Sequence, residues 1–146
     1  PALVIAGNRG WLFEETMQTI EELNLNKNVY WREKVSQQDL AALYTGALVH
    51  LMPSFYEGFG LPALEAMACG TVPIVSHRSS LPEVVGNVGY QIDPDDPQSI
   101  ADAIEHAITD VNWRMSHESL ALERAKQFSW AKTAAVAQQV YEKVME

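Results

Sequence analysis

The stretch ALVHLMPSFYEGFGLPALEAMACGTVPIVS, residues 47–76, carries the pattern that decides the fold. The apolar runs at its two ends, Ala47–Pro53 and Val72–Ser76, have the length and composition of buried strands. Pro62–Cys69, between them, is predicted to be a helix that begins with a proline. Because a strand, a helix and a second strand in this order are typical of parallel sheets, the stretch predicts a βαβ unit.

The rest of the chain repeats this alternation. Further strands are predicted at Ala2–Ala6, Asn28–Trp31 and Gly89–Ile92. Further helices are predicted at Leu12–Leu23, Gln37–Tyr44, Pro82–Val85, Gln98–Ile108, Asn112–Lys126 and Trp130–Met145. We therefore predict an α/β fold, a Rossmann-like parallel sheet flanked by helices, with residues 1–146 as one domain. Ser80 with Glu83 predicts a capping box, and Asp96 before Pro97 predicts a second helix cap.

Composition excludes several classes of function. The chain has 47% hydrophobic residues, a net charge of -9 and one cysteine. The acidic balance argues against general affinity for nucleic acid or anionic lipid, since both select basic surfaces. Cys69 cannot form an internal disulfide and is predicted to be a small buried side chain. The single cysteine fits a reducing compartment, and no apolar run of about 18 residues could span a bilayer, so the predicted location is the cytoplasm.

The loop after the predicted strand Ala47–Pro53 is the candidate site. Gly58 and Gly60 disfavour a helix there, so the following helix is predicted to begin at Leu61 or at the proline after it. The loop then lies outside the carboxyl end of a parallel strand, where open α/β sheets bind ligands. The N–H groups of Gly60, Leu61 and Ala63 are predicted to be unpaired at the positive end of the helix dipole, where a phosphate would bind.

Two glutamates flank this predicted phosphate site. Glu57 lies on the loop, and Glu65 is predicted in the first turn of the helix. Carboxylates would repel the phosphate itself, so their partners should be hydroxyl groups on either side of it. A nucleoside diphosphate sugar offers ribose hydroxyls at one end and sugar hydroxyls at the other. We predict that Glu65 accepts hydrogen bonds from the ribose and Glu57 from the sugar.

Several stretches together resemble the C-terminal, donor-binding domain of family 4 (group 1) retaining glycosyltransferases of the GT-B fold. These stretches are LVIAG before GW, VSQQDLAALYTGA, PSFYEGFGLPALEAMACGTVPIVS, SSLPEVVG and QFSW. The most specific motif is the pair of glutamates with seven residues between them, around Gly-Phe-Gly-Leu-Pro. The GNRGW stretch and the general spacing are most similar to the bacterial mannosyltransferase-like branch.

The resemblance implies transfer of a sugar from GDP-mannose or a UDP-sugar to a glycan or lipid-linked acceptor, with retention of anomeric configuration. It implies no cofactor and no metal ion, because the nucleotide sugar is the substrate and no metal triplet is used. Glu57 would be the catalytic residue, since it orients the sugar. Carried over by position, the donor-binding residues are Glu57, Gly58, Phe59, Gly60, Leu61, Glu65, Lys34 and Val35, the last two contacting the base through their backbone.

Two departures from the family pattern affect these expectations. Glu33, flanked by Arg32 and Lys34, replaces a glycine that is usual in the base-contacting segment. In the family, an arginine and a lysine that neutralise the diphosphate precede the position where this chain begins, as does the acceptor-binding N-terminal domain. We therefore expect a fragment that lacks its first strand and that domain, through which any membrane contact would be made. Without those cations the chain alone is expected to be inactive.

Several motifs have simpler interpretations. Glu57 and Glu65 could be a loop carboxylate and a dipole-favoured glutamate, although the glycine and proline spacing favours a function. The GNRG stretch at residues 7–10 fits a phosphate loop and an ordinary turn equally well. Asp93-Pro94-Asp95 matches the metal triplet of another glycosyltransferase fold but is better explained as a turn.

Three further residues are predicted to be structural. His50 lies in an apolar strand and is predicted to be a hydrogen-bonded core histidine. His77 and Arg78 follow the strand Val72–Ser76 at its carboxyl end. This position fits residues that face the site, although a solvated loop is the preferred interpretation. Two alternatives to sugar transfer remain open. One is a non-catalytic Rossmann-like module that binds a nucleotide sugar or a protein, and the other is a related GT-B enzyme that epimerises or phosphorolyses sugars.

Overall fold

Strands and helices alternate along the chain as predicted. The computed structural model describes residues 1–145. The strands are β1 (Leu3–Ala6), β2 (Val29–Arg32), β3 (Val49–Met52), β4 (Val72–Ser76) and β5 (Tyr90–Ile92). The helices are α1 (Phe13–Glu22), α2 (Gln37–Gly46), α3 (Leu61–Ala68), α4 (Leu81–Val85), α5 (Pro97–Thr109), α6 (Val111–Ala125) and α7 (Trp130–Met145). Each predicted boundary lies within two residues of the observed one, and β4 and α7 agree at both ends.

The strands pair in parallel in each of two compact units. The first unit is Pro1–Ala42, and the second begins at Leu43. In the first unit β1 pairs with β2, and Leu3 lies opposite Val29. In the second unit β4 lies between β3 and β5. The predicted α/β class with parallel strands is confirmed.

Helices cover both faces of β4, the central strand of the second unit. Val75 faces one side and packs in a cluster with Met67 of α3 and Ala121 of α6. Ile74 faces the other side and packs with Ala107 of α5. All five side chains are fully buried, so β4 is covered from both sides. This layering leaves the carboxyl ends of the strands as the open edge where a ligand can approach.

Pro73 lies within this central strand, where proline is rarely found because it has no N–H to donate. The structure accommodates it because β5 pairs with β4 only from Tyr90, opposite Ile74. Gly89 precedes β5 with a φ of +71°, and a Cβ at that position would lie 1.8 Å from the Pro73 carbonyl oxygen. Glycine is therefore required where the two strands first approach each other.

The two predicted helix caps have different outcomes. Asp96 accepts a hydrogen bond from the Gln98 N–H at 3.0 Å, and Pro97 begins α5, which confirms that cap. Ser80 occupies the N-cap position of α4, but its side chain makes no capping hydrogen bond. The predicted capping box with Glu83 is therefore wrong. The Ser80 hydroxyl has a tertiary partner instead, the backbone of the loop after β3.

Candidate functional site

The loop between β3 and α3 presents a row of open backbone amides. The helix begins at Leu61, as predicted. Within residues 1–145, the N–H groups of Gly58, Phe59, Gly60 and Leu61 donate to no protein acceptor. Ala63, predicted to be open as well, instead donates to the Gly60 carbonyl at 3.1 Å, because the first helical turn is tight. Four consecutive amides at the start of a helix remain available to an anionic ligand.

Gly60 gives this loop its shape. Its φ of +97° lies in the left-handed region, which side chains other than glycine rarely adopt. A Cβ at Gly60 would lie 2.6 Å from Cδ2 of Leu81, which is fully buried. Both the backbone conformation and the contact with α4 therefore require glycine.

Glu57 is held through its backbone by two consecutive serines. Its N–H donates to Ser79 Oγ at 2.9 Å, and its carbonyl accepts a hydrogen bond from Ser80 Oγ at 2.9 Å. The Glu57 carboxylate makes no hydrogen bond or ion pair with residues 1–145. The backbone of this residue is therefore fixed, while its half-buried carboxylate stays available to a ligand.

Glu65 lies in the second turn of α3, not in the first as predicted, because the helix begins four residues before it. The effect of a helix dipole fades beyond the first turn, so the interpretation of Glu65 as a dipole-favoured residue loses its basis. The hydroxyl of Tyr44 donates to Glu65 Oε2 at 3.4 Å. Burial, and then the nearby Glu65 carboxylate, raise the pKa of Tyr44 to about 12. Tyr44 therefore remains a neutral donor to Glu65.

Tyr44 is a site residue that the sequence does not reveal. It lies in the last turn of α2, and its partner Glu65 is 21 residues away. The Tyr44 carbonyl accepts a hydrogen bond from the hydroxyl of Thr71, the residue directly before β4. This bond fixes the backbone of Tyr44. Ser79 was missed for the same reason, since only the folded chain brings it to Glu57.

His50 lies in β3 and is half-buried, but its predicted hydrogen bonding is wrong for one ring nitrogen. Nε2 is buried and has no hydrogen-bond partner within residues 1–145. The ring packs edge-on against Tyr44, with the centroids 5.4 Å apart. Burial lowers the pKa of His50 from 6.5 to about 4, so the ring is neutral at pH 7.

Cys69, predicted to be a small buried side chain, is only half-buried.

Arg78 lies at the carboxyl end of β4, next to the serines that hold Glu57. Its guanidinium pairs with Asp95 and lies 3.4 Å from Asp93 Oδ1, and it stacks over Phe55 at 5.6 Å. The loop position is as predicted, but Arg78 is paired rather than merely solvated. The two aspartates of the Asp-Pro-Asp triplet therefore form ion pairs with Arg78.

Lys34 and Val35, predicted to contact the base, lie in the first unit directly after β2. Lys34 has a φ of +52°, so the backbone turns sharply there. Glu33, which replaces the family's usual glycine, accepts a hydrogen bond from the Arg9 N–H at 3.3 Å. Its carboxylate also lies 3.6 Å from the Arg9 guanidinium. The unusual residue therefore has a partner of its own within the first unit.

The loop GNRG, residues 7–10, is also tied within the first unit. The Gly7 N–H donates to the Arg32 carbonyl at 3.0 Å, and the Gly7 carbonyl accepts from Trp31 Nε1 at 2.9 Å. With the Arg9 N–H directed to Glu33, two of the loop's amides are already used. This pattern favours an ordinary turn over a phosphate loop.

A cavity of about 540 Å³ is lined in part by Gly58 and Phe59 of the candidate loop. Phe59 packs edge-on against Phe128 of the QFSW stretch, with the centroids 6.0 Å apart. Arg124 stacks over Phe128 at 5.0 Å and donates to the Val84 carbonyl at 3.0 Å. The lining residues are Gly58, Phe59, Ser80, Glu83, Val84, Arg124, Gln127 and Phe128. The C-terminal motif of the sequence thus contacts the candidate loop directly.

Residues 1–145 contain neither a cluster of metal-ligand side chains nor a membrane-spanning helix. No group of three or more histidine, cysteine, aspartate or glutamate side chains converges as metal ligands would. No helix in this part of the chain is both long enough and apolar enough to cross a membrane.

Comparison with known sequences identifies glycosyltransferases as relatives of this chain. The family model described as glycosyl transferases group 1 matches residues 1–124. O-antigen chain mannosyltransferase B of Escherichia coli is 41% identical over 128 residues, which cover 88% of this chain and 34% of that protein. D-inositol 3-phosphate glycosyltransferase of Paenarthrobacter aurescens is 38% identical over 124 residues, covering 84% and 30%. The chain thus spans about a third of the length of these relatives.

Solved structures share the fold. Sucrose-phosphate synthase of Thermosynechococcus elongatus superposes with a TM-score of 0.87 at 30% identity, covering 98% of this chain and 38% of that one. HepE of Anabaena, solved in complex with UDP-glucose, superposes with a TM-score of 0.81 at 24% identity, covering 99% and 40%. The latter likeness is one of fold alone. Because the family model extends over most of the sequence, this chain belongs to the group 1 glycosyltransferase family.

Proposed function

We propose that this chain binds a nucleoside diphosphate sugar at the β3–α3 loop and forms the donor half of a glycosyltransferase. One observation carries the proposal: four consecutive open amides, Gly58 to Leu61, start a helix and are flanked by Glu57 and Glu65. The amides suit the diphosphate, since unpaired N–H groups at a helix start attract phosphate oxygens. The carboxylates suit hydroxyl groups on either side of it.

Each glutamate has a role that its surroundings support. Tyr44 holds the Glu65 carboxylate by a hydrogen bond, which leaves its other oxygen free to accept from ribose hydroxyls. The Glu57 carboxylate has no protein partner within residues 1–145, so the sugar hydroxyls can take that place. The donor would lie along the loop with the ribose at Glu65 and the sugar at Glu57.

The chemistry asked of this half is orientation and charge stabilisation. In transfer, the bond between the anomeric carbon and the diphosphate oxygen breaks, and its electron pair leaves with the diphosphate. The acceptor hydroxyl oxygen bonds to the same face of the sugar, and its proton passes to the leaving diphosphate. Glu57 fixes the sugar for this step, and the open amides stabilise the departing charge. We propose that no metal ion takes part.

Mannose is the sugar that we propose, with GDP-mannose as the donor and a UDP-sugar as the second choice. Four of the relatives are named as mannosyltransferases, among them the E. coli protein that is 41% identical. An acceptor-binding N-terminal domain would complete the enzyme, which we expect to act in polysaccharide synthesis at the cytoplasmic face of the membrane. A glycan or a lipid-linked glycan would be the acceptor.

Binding of donors to this chain tests the proposal directly. NMR titrations with GDP, GDP-mannose, UDP and UDP-glucose measure the affinity for each ligand, including weak affinities. Glu65→Ala should weaken the nucleotide and the nucleotide sugar equally, by about 1.5–3 kcal/mol for a hydrogen bond to a charged group. Glu57→Ala should weaken only the nucleotide sugar, and bare nucleotide binding should stay the same or tighten slightly.

Glu105→Ala is the matched control, because this substitution removes the same charge from an exposed position on α5. It should leave both affinities unchanged. Equal losses for both ligands in Glu57→Ala and Glu65→Ala would contradict the division of roles. No binding of any of the four ligands would overturn the proposal. Sugar binding without transfer by the full-length protein would favour the non-catalytic module instead.

A further inference from the structure

The backbone of Glu57 is held by side chains rather than by a helix or a sheet. Ser79 Oγ accepts its N–H at 2.9 Å, and Ser80 Oγ donates to its carbonyl at 2.9 Å. The next residue, Leu81, packs where a Cβ on Gly60 would lie, 2.6 Å from Cδ2. Three consecutive residues at the start of α4 thus fix both ends of the segment Glu57–Gly60.

Ser80 makes this contact at the expense of a local one. Its position at the N-cap of α4 is the one where serine normally caps a helix, a bond that contributes about 1 kcal/mol. In this structure its hydroxyl makes no cap and is directed to Glu57. A helix of five residues gives up its cap in favour of the loop.

Ser79 also adopts an unfavourable conformation. Its φ of +55° lies in the left-handed region, where glycine is at ease and other residues are strained by roughly 1–2 kcal/mol. Glycine would relieve that strain but has no hydroxyl for the Glu57 N–H. Strain of this kind collects at functional sites, where the surrounding structure maintains it.

We infer that Ser79 and Ser80 are positioning residues that orient Glu57 toward the sugar of the donor. The inference rests on the proposed function, because it assigns a purpose to the contact only if Glu57 binds sugar. The Glu57 carboxylate has no protein partner within residues 1–145. The conformation of the Glu57 backbone therefore determines the direction in which this side chain projects from the loop. The serines therefore act on the donor through Glu57, whose backbone they hold.

Ser79→Gly separates this role from a structural one. The change relieves backbone strain, so the free energy of unfolding should stay the same or rise, while a purely structural serine would lower it. The Glu57 amide should lose protection in hydrogen exchange. The nucleotide sugar should bind about three- to tenfold more weakly, as expected for one lost hydrogen bond, with GDP or UDP unaffected. Ser80→Ala should have the same selective effect.

Ser119→Ala is the matched control, since Ser119 is exposed in the middle of α6. It should change neither the exchange of the Glu57 amide nor any affinity. NMR titrations with GDP and GDP-mannose, and with UDP and UDP-glucose, supply the affinities, and urea unfolding supplies the stability.

A double-mutant cycle distinguishes failure of this inference from failure of the proposed function. In a Glu57→Ala background, Ser79→Gly should cause no further loss of sugar affinity, because the side chain that it orients is gone. An equal loss in both backgrounds, or an unchanged Glu57 amide in Ser79→Gly, would overturn the positioning role while leaving the donor site intact. If Glu57→Ala itself fails to weaken the sugar selectively, the proposed function is wrong and the inference falls with it.

Discussion

Lowering the pH should destabilise this fold through a single histidine, His50, whose ring nitrogen Nε2 is buried. His50 has a pKa of about 4 in the folded chain and an ordinary value of 6.5, because burial disfavours its charged form. Between these two values the unfolded chain binds more protons, so the free energy of unfolding rises with pH across this window. It falls as the pH drops through 6.5 toward 4.

The size of the effect follows from the two pKa values. A shift from 6.5 to about 4 makes the His50 contribution at pH 5 roughly 2 kcal/mol less favourable than at pH 7. Below pH 4 the loss levels off at roughly 3 kcal/mol. No hydrogen bond offsets this loss at Nε2, which has no partner within residues 1–145.

Urea unfolding at pH 7 and pH 5, followed by circular dichroism, measures this difference in the wild type and in His50→Leu. Other groups titrate in both proteins, so the comparison isolates His50. The variant should lose about 2 kcal/mol less than the wild type between the two pH values. Equal losses in the two proteins would show that His50 takes up its proton in the folded chain as readily as in the unfolded chain, which would refute this reasoning.

Three further predictions concern the site. Gly60→Ala should lower the free energy of unfolding by roughly 2–4 kcal/mol, through its positive φ and the overlap with Leu81, whereas Gly58→Ala, which faces open space, should change it by less than about 1 kcal/mol in urea unfolding. Tyr44→Phe should weaken GDP and GDP-mannose equally by a few fold in NMR titrations, since it releases Glu65, and a selective loss of the sugar would contradict this. Addition of EDTA should leave donor binding unchanged, and a loss of binding would point to a metal-bridged diphosphate.

The sequence was sufficient for the elements and for the end of the candidate loop, where α3 begins. Val72–Ser76 is an uninterrupted apolar run, and the structure confirms it as β4 even with a proline inside it. Gly58, Gly60 and the proline after Leu61 predict where the loop ends and the helix begins, which the structure also confirms. These features depend on local conformational preferences that each residue carries wherever it lies.

Contacts between distant residues could not be predicted in this way. Ser80 has the local pattern of a helix cap, yet its hydroxyl bonds to Glu57, 23 residues earlier. Tyr44 has no local feature that indicates Glu65 as its partner. His50 was expected to find a hydrogen bond, and only the packing around β3 determines that Nε2 has none. Local patterns predict which bonds a side chain can make, and tertiary structure decides which one it makes.

The contacts of Arg124 bear on the order in which the site forms during synthesis. Its guanidinium donates to the carbonyls of Glu83 and Val84, which lie 41 and 40 residues earlier in α4. That short helix directly follows the two serines that hold Glu57. Because contacts between distant residues form late, a ribosome-bound chain that ends before Arg124 should have its strands but not a settled Glu57. Donor binding would then begin only when the segment that carries Arg124 has emerged.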